Sequence, residues 1–132
     1  MKIDHIGIAV ESLQEGLKFY RDALGLEYKG QEEVKEQGVK VAFLKLGESK
    51  IELLEPLGEE GPIARHLEKR GPGIHHLALE VSDIDDRVQD LKNSGVEFIG
   101  EKPSQGAGDK KIIFIHPKSA RGVLLELCEV NL

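Results

Sequence analysis

The order of apolar and polar positions divides the chain into strands and helices that occur in one sequence twice over. Lys2 to Val10 is a β-rich apolar run, followed by Ser12-Leu13-Gln14-Glu15, which has the spacing of a helix capping box. Leu13, Leu17, Tyr20 and Leu24 then recur at helical spacing, and Gly25 stands where a left-handed cap would end a helix. Three strands are predicted next, over Leu26–Glu36, Val39–Leu46 and Lys50–Glu55, separated by Gln37-Gly38 and by Gly47-Glu48-Ser49. The module reads β-α-β-β-β. Gly58 to Pro72, bracketed by glycines and prolines, holds a short predicted helix from near Pro62 with Ile63 and Leu67 inward, and serves as a connector. The order then restarts: a strand Ile74–Val81, a helix from about Asp83 with Ile84, Val88 and Leu91 at helical spacing, Gly95, and strands Val96–Gly100, Lys111–His116 and Gly122–Val130. Glu101 to Lys110, rich in Gly, Pro and Ser, is predicted to be the longest irregular segment and a mobile lid.

Residue identities support a duplication. His5-Ile6-Gly7-Ile8-Ala9-Val10 aligns with His76-Leu77-Ala78-Leu79-Glu80-Val81 at an offset of 71 positions. Gly25 and Gly95 are offset by 70, and Glu52-Leu53-Leu54-Glu55 aligns with Glu126-Leu127-Cys128-Glu129 at 74. Three anchors at nearly one spacing indicate a repeated module. The predicted organisation is a single α+β domain over 1–132, with a βαβββ module at 1–57, the connector at 58–72 and a second βαβββ module at 73–132. A module of this length is marginal alone, so the two are expected to pack around a shared site.

Composition narrows the function classes. Eighteen Lys and Arg are interspersed among 24 acids for a formal charge of −6, which excludes the clustered basic face that a nucleic-acid partner needs. No apolar stretch approaches the roughly 20 residues that span a bilayer, and the N-terminus has no signal-peptide pattern, so a cytoplasmic protein with no membrane partner is expected. Cys128 is the only cysteine, which rules out an internal disulfide, and on an apolar strand it is read as packing.

The aligned polar residues carry the chemistry: His5 and Glu52 in the first module, His76 and Glu126 in the second. Strand alternation puts His5 on one face with Gly7 and Ala9, leaving room beside the imidazole, and Glu52 on one face with Leu54. A carboxylate buried in a strand costs several kcal/mol unless a cation or hydrogen-bond donors meet it. Two imidazoles and two carboxylates suit a divalent ion such as Co, Mn, Ni, Fe or Zn, with two further positions open to water or a chelating substrate. His75 points away from His76 and is read as packing, His66 as solvent-facing, and His116, before Pro117, as a residue that orients a loop.

Over essentially its whole length the pattern resembles the vicinal-oxygen-chelate superfamily, whose fold is built from paired βαβββ modules. Among its families, Ile3 to Val10, Glu52-Leu53-Leu54-Glu55-Pro56, Gly73-Ile74-His75-His76, and above all Phe114-Ile115-His116-Pro117-Lys118 with Gly122 to Leu127, are similar to the methylmalonyl-CoA epimerases. The resemblance implies that His5, Glu52, His76 and Glu126 are metal ligands, although some members of the family carry Gln where this chain has Glu52. It implies interconversion of (R)- and (S)-methylmalonyl-CoA through an enolate, with an acyl-CoA substrate and a homodimer. Inversion requires acid/base groups on both sides of C2. Glu126 is taken as one; the position where some members have a second glutamate is Val41 here, and Glu33 or Glu36 on the preceding strand are the substitutes considered. Lys118, Arg121, Lys110 and Lys111 are the basic residues considered for the coenzyme A phosphates. The alternatives are glyoxalase I (lactoylglutathione lyase) and a non-catalytic small-molecule-binding protein of the same fold.

Overall fold

The computed structural model describes residues 1–130, which form two compact units: His5–His75, and Met1–Asp4 with the described residues from His76 onward. The first unit is built from β1 (Lys2–Ala9), α1 (Leu13–Leu17) continued by a π-helical turn (Lys18–Ala23), β2 (Glu27–Val34), β3 (Val39–Leu46), β4 (Ser49–Pro56) and α2 (Pro62–Arg70), its strands running in the order β2-β3-β4-β1. The second contains β5 (Gly73–Glu80), α3 (Ile84–Asn93), β6 (Phe98–Gly106), β7 (Lys110–Ile115) and β8 (Leu125–Val130) in the order β5-β8-β7-β6. Each unit repeats one arrangement. The opening strand runs parallel to the last, β1 with β4 and β5 with β8, while the remaining pairs are antiparallel. This is the glyoxalase-like α+β fold.

In each unit one sheet face packs against the helix. Ile8, Val10, Leu13, Leu17, Ala42, Leu44, Ile51 and Leu53 make the first core, and Val81, Ile84, Val88, Ile113, Ile115 and Leu127 the second. Period-2 positions on the strands meet period-3.6 positions on the helices, so the opposite sheet face is left for other side chains.

Both helices are capped from the last strand. Ser12 Oγ accepts from Glu15 N at 3.3 Å, the expected local cap, and Leu13 N donates to Glu55 Oε1 at 2.7 Å. In α3, Asp83 sits at φ 50° and makes no side-chain cap; Ile84 N donates to Glu129 Oε1 at 2.6 Å. A carboxylate there satisfies an amide that has no intrahelical partner and meets the positive end of the helix dipole. The second glutamate of each four-residue motif is therefore a tie between strand and helix.

The predicted helix 13–24 is α-helical only to Leu17. Its second half is π-helical, with Leu24 N donating to Phe19 O, five residues back, at 2.7 Å. The cause is a length difference between the copies. The turn closing the first helix is made by Leu26 N to Tyr20 O and the one closing the second by Val96 N to Leu91 O, both 3.0 Å, so the first copy holds one more residue inside the same turn. A π turn absorbs one residue without displacing the flanking chain. This also accounts for the offset falling from 71 at the histidines to 70 at Gly25 and Gly95.

Two predicted boundaries are corrected. Glu101–Gly106 is not an irregular lid but the second half of β6: Ser104 pairs with Ile112 and Gly106 with Lys110, after a register shift between Ile99 and Ser104 that the Gly, Pro and Ser content of the segment accommodates. At the other end, β2 stops at Val34, and Lys35–Gln37 form a 3₁₀ turn closed by Gly38 at φ 66°.

Candidate metal centre

The face of each sheet turned away from its helix carries one histidine and one glutamate in matching register. In the first unit Gly7 is the parallel partner of Glu52, and His5 lies two residues before Gly7 on the same face. In the second, Ala78 is the partner of Glu126, and His76 lies two residues before Ala78. Small residues beside the glutamates leave space for the imidazoles. His5 Nδ1 lies 3.2 Å from Glu52 Oε2, and His76 Nε2 lies 3.2 Å from Glu126 Oε1. A phenylalanine faces each glutamate from the antiparallel side, Phe43 opposite Glu52 and Phe114 opposite Glu126, and the Phe114 ring stands edge-on to His76 at 5.3 Å.

His5, Glu52, His76 and Glu126 are only 3, 3, 5 and 4% exposed. At that depth an ionised carboxylate costs several kcal/mol without a compensating cation or donor set. Imidazole nitrogen and carboxylate oxygen together are the donors that borderline divalent ions take. Both pairs fall within groups of buried histidine and acidic side chains whose donor atoms lie close enough to hold a metal ion. The chemistry of the donor set therefore fits a divalent metal.

The remaining candidates are placed differently. Lys110 is 4% exposed and its ammonium is paired with the equally buried Asp4, which withdraws it from solution phosphates. Lys111 Nζ binds Asp85 Oδ2 at 2.5 Å on the surface. Lys118 is exposed, with Nζ 3.6 Å from Glu97 Oε1, and Arg121 is exposed at φ 57°. His116 has the loop-orienting place expected of it: its Nδ1 accepts from Lys118 N at 3.0 Å and its own N–H donates to Glu97 O. His66 is half-buried rather than solvent-facing, its ring edge-on to His75 at 5.1 Å, and burial, with Arg70 second, lowers its pKa. Cys128 is fully buried, and burial, reinforced by the charges of Asp4 and Glu126, pushes its thiol far above the ordinary range. Sequence reasoning missed the Asp4–Lys110 pair and the capping roles of Glu55 and Glu129. The only signal was the doubled glutamate of each motif.

Comparison with known proteins agrees with this construction. Residues 4–114 match the family model of the Glyoxalase/Bleomycin resistance protein/Dioxygenase superfamily. The chain is 42% identical over 131 residues to the ethylmalonyl-CoA/methylmalonyl-CoA epimerase of Cereibacter sphaeroides, covering 98% of each chain. The crystal structure of methylmalonyl-CoA epimerase from Mycobacterium tuberculosis superposes with a TM-score of 0.95 at 41% identity, covering 99% of this chain and 89% of that one. A Streptomyces coelicolor methylmalonyl-CoA epimerase variant in complex with 2-nitronate-propionyl-CoA superposes with a TM-score of 0.96 at 38% identity, covering 100% and 99%. With its two His–Glu pairs in equivalent registers and this likeness over its full length, the chain belongs to the glyoxalase/bleomycin resistance/dioxygenase superfamily and, within it, to the methylmalonyl-CoA epimerases.

Proposed function

We propose that the protein is an isomerase that interconverts (R)- and (S)-methylmalonyl-CoA by removing and returning the proton at C2, with His5, Glu52, His76 and Glu126 jointly holding one divalent ion. The observation that carries the reading is the repetition of one buried imidazole–carboxylate pair in the same strand register in both units. A divalent ion held there would supply Lewis acidity, which makes a proton beside a thioester easier to remove. The two histidines, neutral, would orient the donor set, and the two carboxylates would balance its charge.

Glu126 is the group proposed to take the proton, since a carboxylate has a second oxygen when the first is engaged. Val41, Leu54 and Phe43, which share the face of Glu52, would keep bulk water from the reacting carbon. Lys118 and Arg121, exposed on the turn before β8, are the proposed contacts for the coenzyme A phosphates. The protein is further proposed to act in the cytoplasm as a homodimer; no helix among the described residues is long and apolar enough to cross a membrane.

The experiment is proton–deuterium exchange at C2 of methylmalonyl-CoA in D2O, followed by NMR with metal-free and Co-loaded protein, beside an assay with methylglyoxal and glutathione. Metal-dependent exchange confined to the CoA ester is the expected result. Absence of exchange in both metal states would sink the epimerase reading, and activity in the parallel assay would then identify a glyoxalase.

A further inference from the structure

Inversion at C2 requires that the proton return from the side opposite to the one it left, so one carboxylate is not enough. The strand register of the first unit restricts where a second can come from. Residues directly opposite each other in an antiparallel pair share a face. Leu54 shares the face of Glu52, Val41 is the partner of Leu54 on β3, and Glu32 is the partner of Val41 on β2. The register shift between Tyr28 and Gln31 sets this alignment, because it moves Glu32 rather than Gln31 or Glu33 onto the face of the buried pair. Glu33 is the partner of Lys40 and points to the other side, and Glu36 lies in the 3₁₀ turn beyond the strand. Glu27 reaches the same face only at the strand's far end, opposite Lys45, where Lys29 at 3.0 Å lowers the pKa of its carboxyl.

We infer that Glu32 is the second proton carrier of the reaction, serving the face of C2 that Glu126 does not. The inference rests on the epimerase reading above. β2 and β4 are separated by two strand spacings, roughly 10 Å, so a chelated small molecule fits between a side chain on one and a ligand on the other. Val41, between them, presents no polar group to compete for the proton. Glu32 is exposed on its strand, and its replacement leaves both cores untouched.

The test uses Glu32→Gln in the full-length, Co-loaded protein, with (R)- and (S)-methylmalonyl-CoA supplied separately in D2O. Inversion is expected to fall by about 10²-fold or more, the usual contribution of a positioned acid or base. Deuterium incorporation at C2 survives for one enantiomer only, because the remaining base still removes and returns the proton on its own side. Bound Co stays at the parent level, and Glu33→Gln behaves as the parent. Inversion by Glu32→Gln within threefold of the parent would overturn the assignment, as would loss of exchange from both enantiomers with Co still bound. A parent protein that shows neither exchange nor inversion would instead remove the epimerase reading, before the variant is considered.

Discussion

Each buried imidazole has a carboxylate oxygen 3.2 Å away, so a change at either glutamate acts on two quantities of opposite sign. Replacing Glu52 by Gln removes the desolvation cost of a buried charge when no metal is present and removes an anionic donor when metal is present. The metal-free Glu52→Gln protein is therefore expected to melt at or above the parent temperature, while its affinity for Co falls by roughly 10- to 100-fold, a loss of about 1.4–2.8 kcal/mol. Calorimetric melting and a metal titration on the same sample check both signs. His66 gives a second expectation at this scale. Burial depresses its folded pKa, with Arg70 adding to the effect. Its contribution to stability is thus full above the unfolded histidine pKa and is lost as pH falls through the lower folded value; an NMR titration should place its midpoint below that of histidine in the unfolded chain. The sequence made His5, Glu52, His76 and Glu126 legible because each recurs beside a small or apolar neighbour at a fixed offset. It could not disclose Lys110, which reads as a loop lysine until a partner 106 residues away is known.

Among the elements, α1 shows how closely helix and sheet are fitted. A Cβ at Gly16 would lie 2.9 Å from Leu53 Cδ1, and Leu53 is fully buried, so the helix needs glycine there to approach the strand. Gly16→Ala gains up to about 1 kcal/mol of helix propensity, against roughly 1–3 kcal/mol for forcing a packed side chain aside. The second effect should win, with a net loss of up to about 2 kcal/mol in a urea unfolding curve. Helix existence was readable from periodicity in both copies, because a 3.6-residue apolar stripe is a local property. The π turn was not, since it follows from comparing the length of one copy with that of the other. The misreading of Glu101–Gly106 has a related cause: Gly, Pro and Ser mark irregular backbone, but they equally mark a strand that pairs through a register shift.

For the molecule as a whole, metal and fold should be linked. An ion that binds only the folded state adds about 4 kcal/mol at 1,000 times its dissociation constant. At roughly 4 °C per kcal/mol for a chain of this size, removing metal with a chelator should lower the melting temperature by about 16 °C, and a variant lacking both His5 and His76 should show no such difference. The fold class was legible because the duplication writes the module twice, and each copy corroborates the other's strands. The route by which Glu55 and Glu129 join the last strand to the helix was not, since an amide acceptor leaves no periodic trace. The burial of Cys128 has a consequence of its own. A chain with one thiol, fully covered and held in its unreactive form, carries a built-in clock for its own opening. Reaction with a thiol reagent can proceed only when the structure around Cys128 opens, so the labelling rate, followed against reagent concentration, reads the frequency of that opening under native conditions without denaturant.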